Sequence, residues 1–209
     1  MKRVISILVC LVLVASTGIL ASCDIISNLQ NAVKYPDSYS LTYELTSAEG
    51  TISTITKTVD AYGNVYYRNA DEETVYIREG AGYIKYEKNG EGDFESTTGV
   101  KLTKSAMENE TSGICEYAEK SMNKFMPTAK QESNTEMFGR ACEVYKLGVG
   151  DESNGSYHYY YVDAETGICL GVEVKNTALG NSIAYDGEGF ICTEFLVGNI
   201  DDISNMIAD

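Results

Sequence analysis

The chain of 209 residues holds one histidine, His158, within "SYHYYYVD". Set beside Asp163 and a serine nucleophile it could run acyl transfer, because an imidazole oriented by a carboxylate acts as a general base. The surrounding run is a tyrosine-rich strand pattern, and there a histidine reads as a partly exposed strand residue. No G-x-S-x-G, H-E-x-x-H or phosphate-binding glycine loop occurs. The adjacent carboxylates Glu72-Glu73 and Asp201-Asp202 fall in polar, turn-like stretches, where they stay solvated. "GDESNG" (150–155) lacks the alternating ligands of a calcium loop and reads as a hairpin turn. Cys115, Cys142, Cys169 and Cys192 form no C-x-x-C pair, and their wide spacing fits no zinc site. The expectation is a protein that is not an enzyme, with no catalytic residue, no metal and no cofactor.

Cys23 is the residue whose setting does specify chemistry. Lys2 and Arg3 form a short positive region, and Val4 to Leu20 is almost wholly apolar. Ala21 and Ser22 are small, as a signal-peptidase site requires. The apolar run is close to the lower limit for a membrane span, so a retained span is the competing reading. Leu20-Ala21-Ser22-Cys23 resembles the bacterial lipobox, in which the cysteine thiol takes a diacylglyceryl group and becomes residue one. That reading makes 1–22 a lipoprotein signal peptide and Cys23 a lipid anchor, with the protein on the outer side of the cell membrane. Two or three acyl chains hold stably, since each buried methylene contributes about 0.8 kcal/mol. Asp24 resembles an inner-membrane retention signal in a two-membrane bacterium and carries no meaning in a one-membrane one.

The formal net charge is −15, and it becomes more negative once Lys2 and Arg3 are removed with the signal. A surface this acidic excludes nucleic acid as a partner, because phosphate binding needs a basic patch. It also disfavours broad contact with anionic headgroups beyond the anchor. The length after cleavage suits one domain with a real core. Four cysteines beyond the anchor imply either disulfides, with three possible pairings, or free buried thiols.

The elements that would position any site alternate with period two. In "YSLTYEL", Tyr39, Leu41, Tyr43 and Leu45 share one face. "TISTITKTVDAYGNVYYRN" and "ETVYIREGAGYIKYEKNGEGDF" continue as short strands with turns at Tyr62-Gly63-Asn64, Gly80 to Gly82 and Asn89 to Gly92. The spacing predicts a first helix over 24–34, stopped at Tyr35-Pro36. It predicts another over 112–126, with Ser112 as N-cap, Pro127 as terminator, and Ile114, Ala118, Met122 and Phe125 on one face. Residues 100–110 read as a weaker helix. "RACEVYKLGVG", "SYHYYYVDAETG", "ICLGVEVKN" and "FICTEFLVG" return to strands. Asp163 to Gly167 forms a hairpin loop whose glycine takes the left-handed conformation. Ile168, Leu170, Val172 and Val174 share an apolar face. The class is α+β, mostly β: one meandering antiparallel sheet with a helical insertion near 100–126.

The order of these pieces resembles the LolA/LolB/LppX superfamily of lipoprotein carriers and lipid-binding lipoproteins. "SYSLTYEL" looks like the first outer strand of that family after an N-terminal helix, and "DAYGNVYYRN" like its second hairpin. "MFGRACEVYKL" followed by "YYYVDAETGICLGVEV" resembles its tyrosine-rich strand pair with a Val-Asp-x-x-Thr-Gly turn. The resemblance covers roughly residues 25 to 200. It implies a curved, open antiparallel half-barrel with helices covering the concave face, and acyl chains held between in members that carry lipid.

One division of the chain follows: signal 1–22, lipidated N-terminus and first helix 23–35, and a single β domain 36–209. Two functions fit. The first is a membrane-tethered module binding a lipid or other apolar ligand, lined by Leu41, Tyr43, Leu45, Met122, Phe125, Leu170, Val172 and Val174. The second is an envelope structural or protein-interaction lipoprotein with a filled core.

Overall fold

Alternation decides the first strand. Tyr39, Leu41 and Tyr43 are buried and Thr42 and Glu44 are less covered, so β1 (Tyr39–Thr46) turns one face into the core, while Ser40 on the other face is buried beside the segment that follows the last strand. The structure, a computed structural model, describes residues 33–47, 50–97, 99–119, 130–151, 154–176 and 189–207. After β1 come β2 (Ile52–Val59), β3 (Val65–Arg68), β4 (Glu73–Glu79), β5 (Gly82–Lys88), β6 (Phe94–Ser96) and β7 (Leu102–Thr103). The expected turns at Gly63, Gly80 and Gly92 separate them, and all three glycines have positive φ.

The helical insertion follows. Helix α1 (Lys104–Glu110) is N-capped by Thr103, whose hydroxyl accepts from the Ala106 N–H at 3.2 Å. A 3-10 turn (Ser112–Ile114) and a short helix, α2 (Cys115–Ala118), come next. The continuous helix expected from Ser112 is therefore corrected. Ser112 lies inside the 3-10 turn and caps nothing; its hydroxyl donates to the Asn109 carbonyl at 2.7 Å instead. Glu119 already leaves helical geometry. The predicted inward face holds as far as it is described, since Ile114 and Ala118 are fully buried. Of the first helix expected over 24–34, residues 24–32 lie outside the described residues, and Val33 and Lys34 are in no helix. The Lys34 N–H instead donates to the Thr166 carbonyl at 2.8 Å.

The second half runs β8 (Lys130–Met137), β9 (Arg140–Asp151), β10 (Asn154–Asp163), β11 (Cys169–Asn176) and β12 (Gly189–Val197), then a 3-10 turn (Ile203–Ile207). Phe138 (φ 55) and Gly139 (φ 71) make the β8–β9 hairpin, and the run of left-handed residues matches a two-residue primed turn. Gly167 takes φ 73, as its place in the β10–β11 loop predicts.

Sheet order is β6-β5-β4-β3-β2-β1-β12-β11-β10-β9-β8, with β7 pairing β5 off that path. All pairs are antiparallel, and the sheet is not closed, since β6 and β8 end the order. A single meander would not place β1 beside β12. Here two meanders are joined by pairing the first strand with the last, from Tyr39↔Val197 to Thr46↔Gly189, with a register shift between Thr42 and Tyr43. The protein is mostly β with few helices among the described residues. None of those helices is long and apolar enough to cross a membrane.

Candidate functional site

Strand register gathers one face. Leu41 lies opposite Lys57, Tyr43 opposite Ile55, and Tyr39 opposite Val59 across β1–β2. On the other side of β1, Tyr43 pairs with Cys192 and Leu45 with Phe190. Further out, Tyr160 pairs with Val172 across β10–β11. Tyr43 reaches past β12 and donates its phenolic O–H to the Cys169 carbonyl at 2.6 Å. That bond stitches the faces of the two meanders together.

The expected lining residues divide three ways. Leu41, Tyr43 and Leu170 are wholly buried, and belong to one core cluster with Tyr39, Ile55 and Phe195. Leu45 and Val172 are half-buried against that cluster, as are Tyr117, Tyr145 and Leu147. The Val174 backbone lies opposite His158 in the β10–β11 pair. Met122, Phe125 and Cys23 lie outside the described residues.

The helical insertion rests on this face. The Tyr117 ring stands 5.9 Å from Tyr43 and 5.3 Å from Phe190, and Tyr43 meets Phe190 edge-on at 5.7 Å. Tyr35 stacks on Tyr39 at 5.6 Å and donates to Glu119 at 3.2 Å. Toward β5 the contacts are ionic. The Tyr76 hydroxyl donates to Glu110 at 2.9 Å, and Lys85 pairs with the same carboxylate at 3.0 Å. Burial, reinforced by Glu110, pushes the Tyr76 phenol up to about 12. Burial also holds the Tyr43 phenol well above its ordinary value.

Lys57 is the residue that reading for motifs missed. It is 9% exposed, and its Nζ donates to the Thr111 hydroxyl at 2.8 Å. The signal lies in "TITKTVD": Ile55, Lys57 and Val59 occupy the same inward positions, so the period puts a lysine where a hydrophobe is expected. Burial pulls its pKa down, against a smaller opposing pull from Cys115 and Glu108.

The residues weighed for catalysis are placed plainly. His158 is exposed on β10 and stacks on Tyr160 at 6.4 Å. Asp163 is held by Arg140 at 2.7 and 3.1 Å and by Thr166, so its carboxylate is committed to the hairpin rather than to an imidazole. Cys115, Cys142, Cys169 and Cys192 are free thiols, and three of them are buried. Burial pushes the Cys192 thiol up to about 12, which keeps it protonated and inert. Among the described residues no group of histidine, cysteine and carboxylate side chains could hold a metal.

The opposite face carries a groove of about 490 Å3. The segment after β12 crosses Ser40, Thr58 and Tyr66 there, with Leu196 and Met206 exposed at its rim.

No family model matches the chain, and no curated protein does. Among solved structures, a crystal structure of MucB is similar over 91% of this chain at 17% identity, with a TM-score of 0.40. The chain spans 63% of that structure's length. A domain from Vibrio parahaemolyticus, described as an outer membrane lipoprotein-sorting protein, is similar over 88% of this chain and 94% of its own. Its identity is 9% and its TM-score 0.27. At these scores neither likeness says what this chain does.

Proposed function

We propose that this is a membrane-tethered bacterial lipoprotein, not an enzyme, that holds a lipid or other apolar ligand on the inner sheet face. The observation that carries the reading is the uneven cover of that face. Leu41, Tyr43 and Leu170 are sealed, while the adjoining Leu45, Tyr117, Leu147 and Val172 are only half-buried. Apolar side chains left half-covered beside a closed core favour an apolar partner. In this reading the sheet is curved, α1 and α2 cover its concave side, and the ligand completes that cover. Cys23, acylated before the signal is cleaved behind Ser22, supplies the anchor, and the β domain runs from 36 to 209. Arg140 is engaged with the buried Asp163 and Lys146 with the exposed Glu132, which fits a protein with no use for nucleic acid.

One observation favours a second reading, docking of a protein partner. Leu196 and Met206 are 49% and 44% exposed beside the outer groove. Titration with a fluorescent fatty acid separates the two. Saturable uptake that weakens in Val172→Trp but not in Leu196→Asp places the ligand on the inner face. The reverse pattern removes the inner-face site, and no saturable uptake removes the ligand reading.

A further inference from the structure

Three charged side chains are buried among the described residues: Lys57, Asp60 and Asp163. Buried charges are tolerated when they are compensated. Asp60 accepts from the backbone N–H groups of Tyr62, Asn64 and Ile203 and from the Asn64 side chain, each at 2.9 Å. Asp163 accepts two bonds from Arg140 and two from Thr166. Lys57 is different. Its partner is the neutral Thr111 hydroxyl, and no described carboxylate lies within 4 Å of it. Thr111 Oγ1 is itself 3.5 Å from the Glu108 carbonyl and 3.8 Å from Met107 Sδ, so it offers no negative charge. Among the described residues Lys57 is the one buried cation, and Glu108 acts on it only at longer range, without direct contact.

Lys57 also stands at a definite place on the ligand face. It lies opposite Leu41, and Leu41 is four residues from the half-buried Leu45 on the same strand. At 3.3 Å per residue that is about 13 Å along β1, a reach an acyl chain of ordinary length covers. A cation at one end and half-buried apolar side chains at the other are the two halves of an amphiphile site.

We propose that Lys57 is the counter-ion for the anionic head of the ligand, a carboxylate or phosphate on an acyl chain whose tail lies toward Leu45 and Val172. This rests on the inner-face reading above. A neutral lipid would leave the ammonium uncompensated; an anionic one completes it with a charge-assisted hydrogen bond. A lysine is a compact point charge and accepts either anion.

The full-length lipidated protein in nanodiscs, labelled with photoactivatable palmitic acid or photoactivatable hexadecanol, tests this. Adducts are mapped by peptide mass spectrometry. The acid is expected to label β1, β2 and α1 about tenfold more than the alcohol. Lys57→Met should abolish that preference while keeping the alcohol's labelling, and Lys57→Arg should retain it. Competition by unlabelled palmitate against hexadecyl phosphate tells carboxylate from phosphate. Equal labelling by acid and alcohol, or a preference unchanged in Lys57→Met, overturns the role of Lys57 alone. No inner-face labelling by either probe overturns the ligand reading with it.

Discussion

Ile203 donates its backbone N–H to Asp60 Oδ2 at 2.9 Å, joining residues 143 apart in sequence. The same carboxylate closes the β2–β3 turn through Tyr62 and Asn64. One buried side chain therefore holds a hairpin and the C-terminal 3-10 turn together. Asp60→Ala leaves these N–H groups without an acceptor, and each buried one costs about 1–3 kcal/mol. The expected loss is about 3 kcal/mol by urea denaturation. Amide exchange at Ile203 should accelerate more than at β9. Uniform acceleration across the sheet would refute the local role.

Arg140 and Asp163 make the pH dependence. Burial alone would raise the Asp163 carboxyl, but the bonds from Arg140 and Thr166 outweigh it and hold its pKa below the ordinary value. A folded pKa below the unfolded one means stability that is complete above about pH 4. It is lost as pH falls through the folded pKa. Arg140→Met should cost about 2–3 kcal/mol at pH 7, less than for a wholly buried pair because Arg140 is partly exposed. The variant should also lose stability less steeply below pH 4. Parallel acid-unfolding curves would contradict this.

Phe138 occupies the left-handed region at φ 55, beside Gly139, and is 42% exposed. A phenylalanine there is strained, and asparagine adopts that conformation readily. Phe138→Asn is expected to stabilise the β8–β9 hairpin by about 0.5–1 kcal/mol, read as a raised Tm. A lowered Tm would show that the ring makes a contact worth more than the strain.

Much of this fold was legible because its strands alternate. Tyr39, Leu41 and Tyr43 announce their face, and Gly63, Gly92 and Gly167 mark the turns they make. β8 was not legible: "KQESNTEM" offers no apolar alternation, since it is an exposed edge strand that pairs through its backbone to β9 alone. The pairing of β1 with β12 is a long-range contact, and no local pattern specifies which distant strand fills an edge. The break in the expected helix at Glu119 is equally silent, because Ile114 and Ala118 keep helical spacing through a 3-10 turn. At the site, Leu45 and Val172 followed from period two. Lys57 did not, because a lysine among threonines looks like a solvated residue until its register against Leu41 is known.

Cys23 lies outside the described residues, and its role is tested in cells. Cys23→Ser removes the thiol that acylation needs before cleavage. The variant should appear unprocessed or be released from the membrane fraction. Membrane-bound protein of mature size would contradict the anchor.

The central claim is that the half-covered inner face holds an apolar ligand. Its most direct measurement is mass spectrometry of the organic phase after denaturing extraction of natively purified protein beginning at Asp24, with cooperative unfolding as the folding control. The expected result is an amphiphile near one equivalent in the wild type, depleted in a folded Val172→Trp variant. Extracts free of lipid from folded wild-type protein, with no saturable uptake of an apolar probe, would contradict it.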